Sequence, residues 1–274
     1  MTARISRIQI YGERCSGTNY LEHLLRRNVP DVPLTWDFGW KHFFHEAGVE
    51  RADDCLFVVI YRNPFDWLRS LNRSPWHAAP PLWNLDFSAF IRAEWWCVFD
   101  EHWPVAPDDP RYGTELMLER SPETGERFAN VMRLRTAKIR DWEALRDQAA
   151  HTAHVRYEDL NKRPGEFLDS LCTRFALPRL PVLHEVREDK GKRHRYRPKA
   201  YVPVSEPDLQ FVLGELDRPL EARIGYDVTA LAERLRAERA RPQAPAQSLG
   251  QRWLPNPLYR LDRRIVKWWR ARRA

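Results

Sequence analysis

Eight residues near the N-terminus have the spacing of a loop that binds a phosphate-like anion. The stretch Gly12-Glu13-Arg14-Cys15-Ser16-Gly17-Thr18-Asn19 matches the G-x-x-x-x-G pattern of a phosphate loop. The backbone amides of such a loop, and the N-terminus of the helix after it, attract an anion. The alternative interpretation is a glycine turn that only joins a strand to a helix.

The two residues after the second glycine indicate which anion the loop accepts. A nucleoside triphosphatase has a lysine there for the β- and γ-phosphates, followed by a hydroxyl side chain for Mg²⁺. This chain has Thr18 and Asn19 instead. The loop therefore predicts an anion site without the residues that triphosphate chemistry needs.

A second segment, Arg62-Asn63-Pro64-Phe65-Asp66-Trp67-Leu68-Arg69-Ser70, follows a buried apolar run. A nucleoside triphosphatase has an acidic metal ligand at the end of this strand, whereas here the strand runs into Arg62. Asn63 and Pro64 are typical of a helix start, and this start places Ser70 about two turns into the helix. Arg62 and Ser70 could hold one phosphate together; the alternative is an exposed arginine before a helix.

Strands that alternate with helices must position these residues. The β-prone run Arg7–Tyr11 precedes the loop, and leucines at helical spacing follow it. The run Cys55–Tyr61 is continuously apolar, which is typical of a strand covered on both faces. The sequence also predicts a helix with apolar positions from Phe87 to Val98, a long helix over 127–148, a strand over 153–157 and a helix marked by Phe167, Leu168, Leu171 and Phe175. This order predicts an α/β fold, a three-layer sandwich with a central parallel sheet.

Length and composition predict one catalytic domain with a separate tail. With 274 residues and 43% apolar content, we expect an α/β domain over 1–238, a linker over 239–251 and a tail over 252–274. No apolar run is long enough for a bilayer and no signal-peptide core is present, which favours a cytoplasmic protein. The four scattered cysteines predict reduced thiols and no metal site. The segment 103–125 is rich in Pro and Asp and predicts a surface excursion.

The positive charge is concentrated in the tail. Residues 252–274 contain eight Lys or Arg and one Asp, which equals the net charge of +7 of the whole chain. A nucleic-acid-binding protein needs its basic stripe over the body, so we exclude nucleic acid as a partner. Tryptophans between the cations favour contact with an anionic membrane at its inner face. The alternatives are a helix docked on the body or on a partner protein.

With these motifs in view, the chain resembles the superfamily of sulfotransferases that use 3′-phosphoadenosine 5′-phosphosulfate (PAPS), and its loop looks most like a bacterial and algal branch. In that family a Ser-Gly-Thr loop, here Ser16-Gly17-Thr18, binds the 5′-phosphosulfate. An arginine with a serine eight positions later, here Arg62 and Ser70, binds the 3′-phosphate. A Tyr-Glu-Asp-Leu tyrosine, here Tyr157, contacts the adenine side.

The resemblance also implies catalytic residues. The family has a lysine directly before Ser-Gly-Thr, but this chain has Cys15 there, so Arg14 is the candidate for that role. Cys15 is interpreted as a small side chain that packs in a tight loop. The family base is a histidine, matched by His42 in Trp40-Lys41-His42, and Lys41 is the candidate for stabilising the leaving oxygen. Five other histidines compete with His42: His23, His45, His102, His151 and His154.

A late basic segment matches a further family feature. Family members close a basic, glycine-containing loop over the 3′-phosphate, and Lys190, Lys192 and Arg193 flank Gly191 here. A solvated basic loop is the alternative.

The resemblance implies sulfuryl transfer from PAPS to a hydroxyl acceptor, with a glycan or a lipid-linked sugar as the candidate acceptor and no required metal. Two alternatives remain open at this point. One is a phosphate-loop kinase of small molecules, and the other is a non-catalytic membrane-associated protein that binds anions.

Overall fold

A computed structural model describes residues 4–100, 103, 105–187 and 201–240. Its contacts form two compact units. The first contains the described residues of Met1–Asn63 and Arg140–Ala200, and the second those of Pro64–Ile139 and Tyr201–Ala274.

The described residues contain six strands and nine α-helices. The strands are β1 (Arg7–Tyr11), β2 (Leu34–Thr35), β3 (Cys55–Tyr61), β4 (Cys97–Val98), β5 (Glu115–Leu116) and β6 (Thr152–Arg156). The helices are α1 (Thr18–Asn28), α2 (Pro64–Arg73), α3 (Phe87–Arg92), α4 (Val131–Gln148), α5 (Tyr157–Lys162), α6 (Pro164–Phe175), α7 (Glu206–Glu215), α8 (Arg218–Arg223) and α9 (Val228–Arg239).

The first unit is built on a parallel sheet with the order β2-β1-β3-β6. Ile8 pairs with Leu56 and Ile10 with Val58, so apolar side chains of β1 and β3 share one face. All seven residues of β3 are buried. The prediction of an α/β fold with a central parallel sheet is therefore confirmed.

Different layers cover the two faces of this sheet. On one face, residues of α1 and α6 such as Leu24 and Leu168 join the strand residues in an apolar core. On the other face, Tyr11 stacks on Phe57 and on Trp142 of α4, with ring centroids 6.3 Å apart in both pairs. The first unit is thus a three-layer arrangement.

Strand order fixes where a ligand can approach the first unit. From β1 the chain passes through α1 to β2 on one side, whereas β3 lies on the other side of β1. In open α/β sheets, the crevice outside the carboxyl ends of two such strands is where ligands bind. The loop after β1 and Arg62 after β3 both lie at this edge.

The second unit buries charged side chains as matched pairs. Arg135 binds Glu221 through two nitrogens, at 2.6 and 2.9 Å, and Lys138 pairs with Glu119. Arg135 and Lys138 are 1% and 0% exposed. These cations of α4 therefore hold the second unit together and do not face solvent.

Four element predictions differ from the structure. The long helix expected over 127–148 begins only at Val131. The helix expected from Phe87 to Val98 ends at Arg92, and Trp95 then pairs with Phe128 in an extended bridge. The expected surface excursion 103–125 contains β5 and buries Trp103, Val105 and Leu116. The strand expected over 153–157 covers Thr152–Arg156, and Tyr157 is instead the first residue of α5.

Two further properties concern the described residues only. None of their helices combines the length and the apolarity needed to cross a bilayer. All four cysteines are free thiols, and three of them are buried.

Candidate phosphate-binding site

The loop after β1 has a backbone that its glycines make possible. A Cβ atom at Gly12 would lie 2.6 Å from the carbonyl oxygen of Ile60, so only glycine fits against β3. Gly17 has a φ of 97°, and a Cβ there would lie 2.4 Å from Cδ2 of Tyr157. Cys15 also has a positive φ, 64°, which is uncommon for a residue with a side chain. The loop is therefore held in a tightly constrained shape.

The start of α1 offers hydrogen-bond donors. Gly17 precedes the helix without a side-chain cap. Among the described residues, the amides of Gly17, Thr18 and Asn19 have no acceptor, and the Thr18 hydroxyl has no partner. Such orphan donors, with the positive end of the helix dipole, form a ready site for an anion.

Arg62 and Tyr157 lie against this loop. The Arg62 Nη1 donates to the carbonyl of Cys15 at 2.7 Å, and its guanidinium lies 5.0 Å from the centre of the Tyr157 ring. The adjacent Asn63 amide donates to Glu158 Oε1 at 3.0 Å. Three separate motifs of the sequence thus meet at one edge of the sheet. Ser70 belongs to α2 in the second unit, where it is half-buried, and its pairing with Arg62 stays a prediction.

The dipeptide Lys41-His42 is tied to the first residue of the loop. The Gly12 amide donates to the Lys41 carbonyl at 2.9 Å, and His42 Nδ1 lies 2.5 Å from the Gly12 carbonyl oxygen. Because a carbonyl oxygen only accepts, Nδ1 carries a proton, so the lone pair of the ring in its neutral form is on Nε2. His42 therefore has the tautomer that a proton acceptor at Nε2 requires.

The ammonium group of Lys41 reaches the other end of the loop. It donates to Asn19 Oδ1 at 2.6 Å and forms an ion pair with the buried carboxylate of Glu22. Lys41 thus contacts the residue that starts the loop and the first turn of α1.

Two of the competing histidines, His45 and His154, have carboxylate partners. Burial lowers the pKa of His45, but the Asp141 carboxylate, whose Oδ1 lies 3.0 Å from its Nδ1, raises that pKa overall. His154 lies 2.9 Å from Glu143, and burial lowers its pKa. Burial also lowers the pKa of His23 on α1. Of these histidines only His42 is bonded to the loop.

Arg14 and Ser16 take part in the packing of the loop itself. Arg14 is 1% exposed, with its guanidinium 5.4 Å from the centre of the Trp40 ring. The Ser16 hydroxyl donates to the Glu13 carbonyl at 2.5 Å. The role of Arg14 at a bound anion stays a prediction.

Some predicted residues fall outside the described part of the chain. These are Lys190, Lys192 and Arg193 of the basic segment, His102, and the linker and tail beyond residue 240. Within the described ranges, no three His, Cys, Asp or Glu side chains are grouped so that they could hold a metal ion.

Sequence reasoning missed Glu22, Trp40 and Asp141. Trp40 packs on Arg14, and Asp141 accepts from the His45 amide at 2.8 Å, which anchors the segment that carries His42. Glu22 had a readable signal, because it lies three residues after Asn19 and so on the same side of α1. The partners of Trp40 and Asp141 come from distant segments, and no local pattern indicates them.

Comparisons with known proteins give a weak structural likeness. No protein-family model matches the chain, and no curated protein matches it. Among the solved structures that match is mouse sulfotransferase SULT7A1 complexed with PAP, at 16% identity and a TM-score of 0.33. The match covers 64% of this chain and 60% of that one, so it spans less than two thirds of the mouse protein. At this level of similarity, the fold assignment depends on the sheet order and the loop geometry described above.

Proposed function

We propose that this chain is a sulfotransferase that moves a sulfuryl group from PAPS to a hydroxyl acceptor. The observation that carries the proposal is the pair of exchanged residues at the sheet edge. Thr18 stands where a triphosphatase has its lysine, and Arg62 stands where it has an acidic metal ligand. A site with amides, a hydroxyl and an arginine suits an anion that needs no bridging metal.

Each residue of the site has a role in this proposal. The amides of Gly17, Thr18 and Asn19 and the Thr18 hydroxyl hold the 5′-phosphosulfate, with Cys15 and Ser16 shaping the loop. Arg62, with Ser70, binds the 3′-phosphate, and Tyr157 lies on the adenine side. Lys190, Lys192 and Arg193 are proposed to cover the 3′-phosphate.

The reaction is an in-line displacement at sulfur. The acceptor oxygen forms a bond to sulfur while the bond from sulfur to the bridging phosphate oxygen breaks, and the electron pair stays on that oxygen. The acceptor proton passes to Nε2 of His42, whose Nδ1 is fixed by the Gly12 carbonyl. Lys41 stabilises the negative charge on the leaving oxygen, and Arg14 is the second candidate for this role.

The acceptor is proposed to be a glycan or a lipid-linked sugar. For residues 252–274 we propose contact with an anionic membrane at its inner, cytoplasmic face, because eight cations alternate with tryptophan and aliphatic residues there. A lipid-linked acceptor and a membrane-bound tail would bring enzyme and substrate together.

Calorimetry with two nucleotides separates the proposal from a kinase. We expect 3′-phosphoadenosine 5′-phosphate (PAP) to bind in EDTA, and ATP to bind more weakly with or without Mg²⁺. Turnover of ATP that depends on Mg²⁺ would instead support the kinase.

A histidine variant separates the proposal from a non-catalytic anion-binding protein. We expect His42→Ala to keep its affinity for PAP but to lose at least about 100-fold in acceptor-dependent release of PAP from PAPS. His23→Ala is the matched control. Equal rates for wild type and His42→Ala would support the non-catalytic protein.

A further inference from the structure

Lys41 and Glu22 form a buried ion pair beside the loop. Their side chains are 6% and 7% exposed, and the Lys41 ammonium also donates to Asn19 at 2.6 Å. Asn19 is exposed, so the ammonium lies between a buried carboxylate and the protein surface. The backbone carbonyl of Lys41 accepts from the Gly12 amide, which fixes the residue at the start of the loop as well.

The ammonium has one donor to spare. It carries three N–H groups, and Asn19 and Glu22 take two of them. The Trp36 ring also lies near the ammonium, with its centre 5.6 Å from Nζ, but a ring offers no oxygen to accept the third N–H. A buried charged donor that lacks an acceptor is costly, and a bound anion at the start of α1 would satisfy it.

The Lys41 ammonium lies close to the position where the loop lacks a lysine. A triphosphatase provides its loop cation from the residue after the second glycine, which is Thr18 here. Lys41 brings a cation to the neighbouring residue, Asn19, from a segment 22 residues further along the chain. Unlike a loop lysine, however, it is paired with a carboxylate of the helix itself.

We propose that Glu22 tunes the affinity of the site: it holds Lys41 beside the loop and withholds part of its charge from the bound nucleotide. The proposal rests on the proposed function, in which the anion is the 5′ end of PAPS or of the product PAP. A carboxylate close to the binding cation weakens the hold on a highly charged product. Glu22 is therefore a positioning residue that favours product release at the cost of affinity.

Substitution of the pair gives an expected pattern for PAP binding. Glu22→Gln keeps an oxygen that can accept from Lys41 but removes the negative charge, so we expect the Kd for PAP to fall about tenfold, the size of one charge-assisted contact. Lys41→Met should raise the Kd by at least about tenfold for the same reason. The double variant should bind like Lys41→Met, because Glu22 acts on the bound nucleotide through the charge of Lys41, which this variant removes.

The double-variant cycle compares the effect of Glu22→Gln on the Kd for PAP in the wild type and in the Lys41→Met background. If Glu22 had only a structural role, its substitution would change stability, but its effect on the Kd would not depend on Lys41. Glu166→Gln, an exposed carboxylate on α6 with 69% exposure, is the matched control and should leave the Kd unchanged. If Glu22→Gln does not fold by circular dichroism, Glu22→Ser replaces it, since serine leaves room for a water beside the ammonium.

Two results would overturn the proposal. One is an unchanged or higher Kd for the Glu22 variant, and the other is a tenfold gain that persists in the Lys41→Met background, which would indicate simple repulsion by the carboxylate. If wild type does not bind PAP, the proposed function fails, and the same cycle with inorganic pyrophosphate decides the role of Glu22. Failure to bind either probe overturns both.

Discussion

At the scale of single residues, Gly17 meets two demands at one position. Its φ of 97° lies in the left-handed region, and its α-carbon faces the Tyr157 ring so closely that a methyl group would overlap Cδ2. For a residue with a side chain, the left-handed backbone conformation lowers the free energy of unfolding by about 1–2 kcal/mol. The overlap with the Tyr157 ring lowers it by about 1–3 kcal/mol more. The contact also explains why Tyr157 can lie beneath the loop.

We therefore expect Gly17→Ala to lower the free energy of unfolding by about 3 kcal/mol or more, measured by urea denaturation. Gly48→Ala is the matched control, because Gly48 has a φ of 100° but no atom within 4 Å of the added Cβ. It should cost only about 1–2 kcal/mol. Equal losses for the two variants would contradict the close contact between Gly17 and Tyr157.

For single residues, the sequence could predict which residues lie at the site but not which contacts each side chain makes there. The spacing of Gly12 and Gly17 and the strand end at Arg62 indicated the loop and its cation. The burial of Arg14 under Trp40 and the pairing of Lys41 with Glu22 depend on tertiary packing, to which no local pattern is sensitive. Arg14 and Lys41 look equally available in the sequence, and only the structure shows that the Arg14 guanidinium packs on Trp40 while the Lys41 ammonium bonds to α1.

At the scale of elements, helix α4 is joined to the sheet by a polar cluster. Glu143 accepts from the Tyr61 hydroxyl at 2.8 Å and from Arg146 at 3.0 Å, and it pairs with His154. Burial alone would raise the pKa of Glu143, but hydrogen bonds from His154, Arg146 and Tyr61 lower it to about 2. The charged carboxylate therefore stabilises the packing of α4 on β3 and β6.

This cluster predicts a pH dependence. Because the folded pKa of Glu143 is below its ordinary 4.5, its contribution is complete above pH 4.5 and is lost as the pH falls towards 2. Glu143→Gln should lower the melting temperature clearly at pH 7, and the gap to wild type should shrink between pH 4.5 and 2.5. Thermal melts across this range measure the gap.

Substitution of the exposed Glu166 by Gln is the control, and its melting temperature should differ little from that of wild type at any pH. A gap for Glu143→Gln that stays constant down to pH 2.5 would contradict the proposed charge state.

The elements predicted best from the sequence are those with an uninterrupted apolar or β-prone run. The continuous apolar run of β3 and the run of β1 match the observed bounds, because burial on both faces gives a clear signal. The helix expected up to Val98 failed because Trp95 and Val98 satisfy helical spacing, while Trp95 in fact bonds with Phe128 more than thirty residues away. Strand β2, with two residues, is too short to produce a pattern.

At the scale of the whole molecule, charge is divided unevenly along the chain. The net charge of +7 equals that of residues 252–274, and the rest is formally neutral. A polybasic segment with aromatic residues gains about 1 kcal/mol for each Lys or Arg at an anionic lipid surface. We therefore expect residues 252–274 to carry the proposed attraction of the chain to such a surface.

Cosedimentation with vesicles tests this expectation. We expect the full chain to bind vesicles that contain phosphatidylglycerol and not those of phosphatidylcholine alone. Changing Arg263, Arg264 and Lys267 to Glu should reduce partitioning by roughly 100-fold. The same change at Arg51, Arg163 and Arg187, exposed cations of the body, should have a much smaller effect. Equal losses for the two triple variants would contradict a special role of the tail.

The central claim is that the sheet edge formed by the loop and Arg62 binds the donor nucleotide without a metal. Calorimetry of PAP binding in EDTA, with wild type, Arg62→Ala and the exposed control Arg163→Ala, tests it most directly. We predict binding by wild type and the control, and a loss of at least about 30-fold in affinity for Arg62→Ala, since a charge-assisted contact to a phosphate is removed. No binding by wild type, or equal affinities for wild type and Arg62→Ala, would contradict the claim.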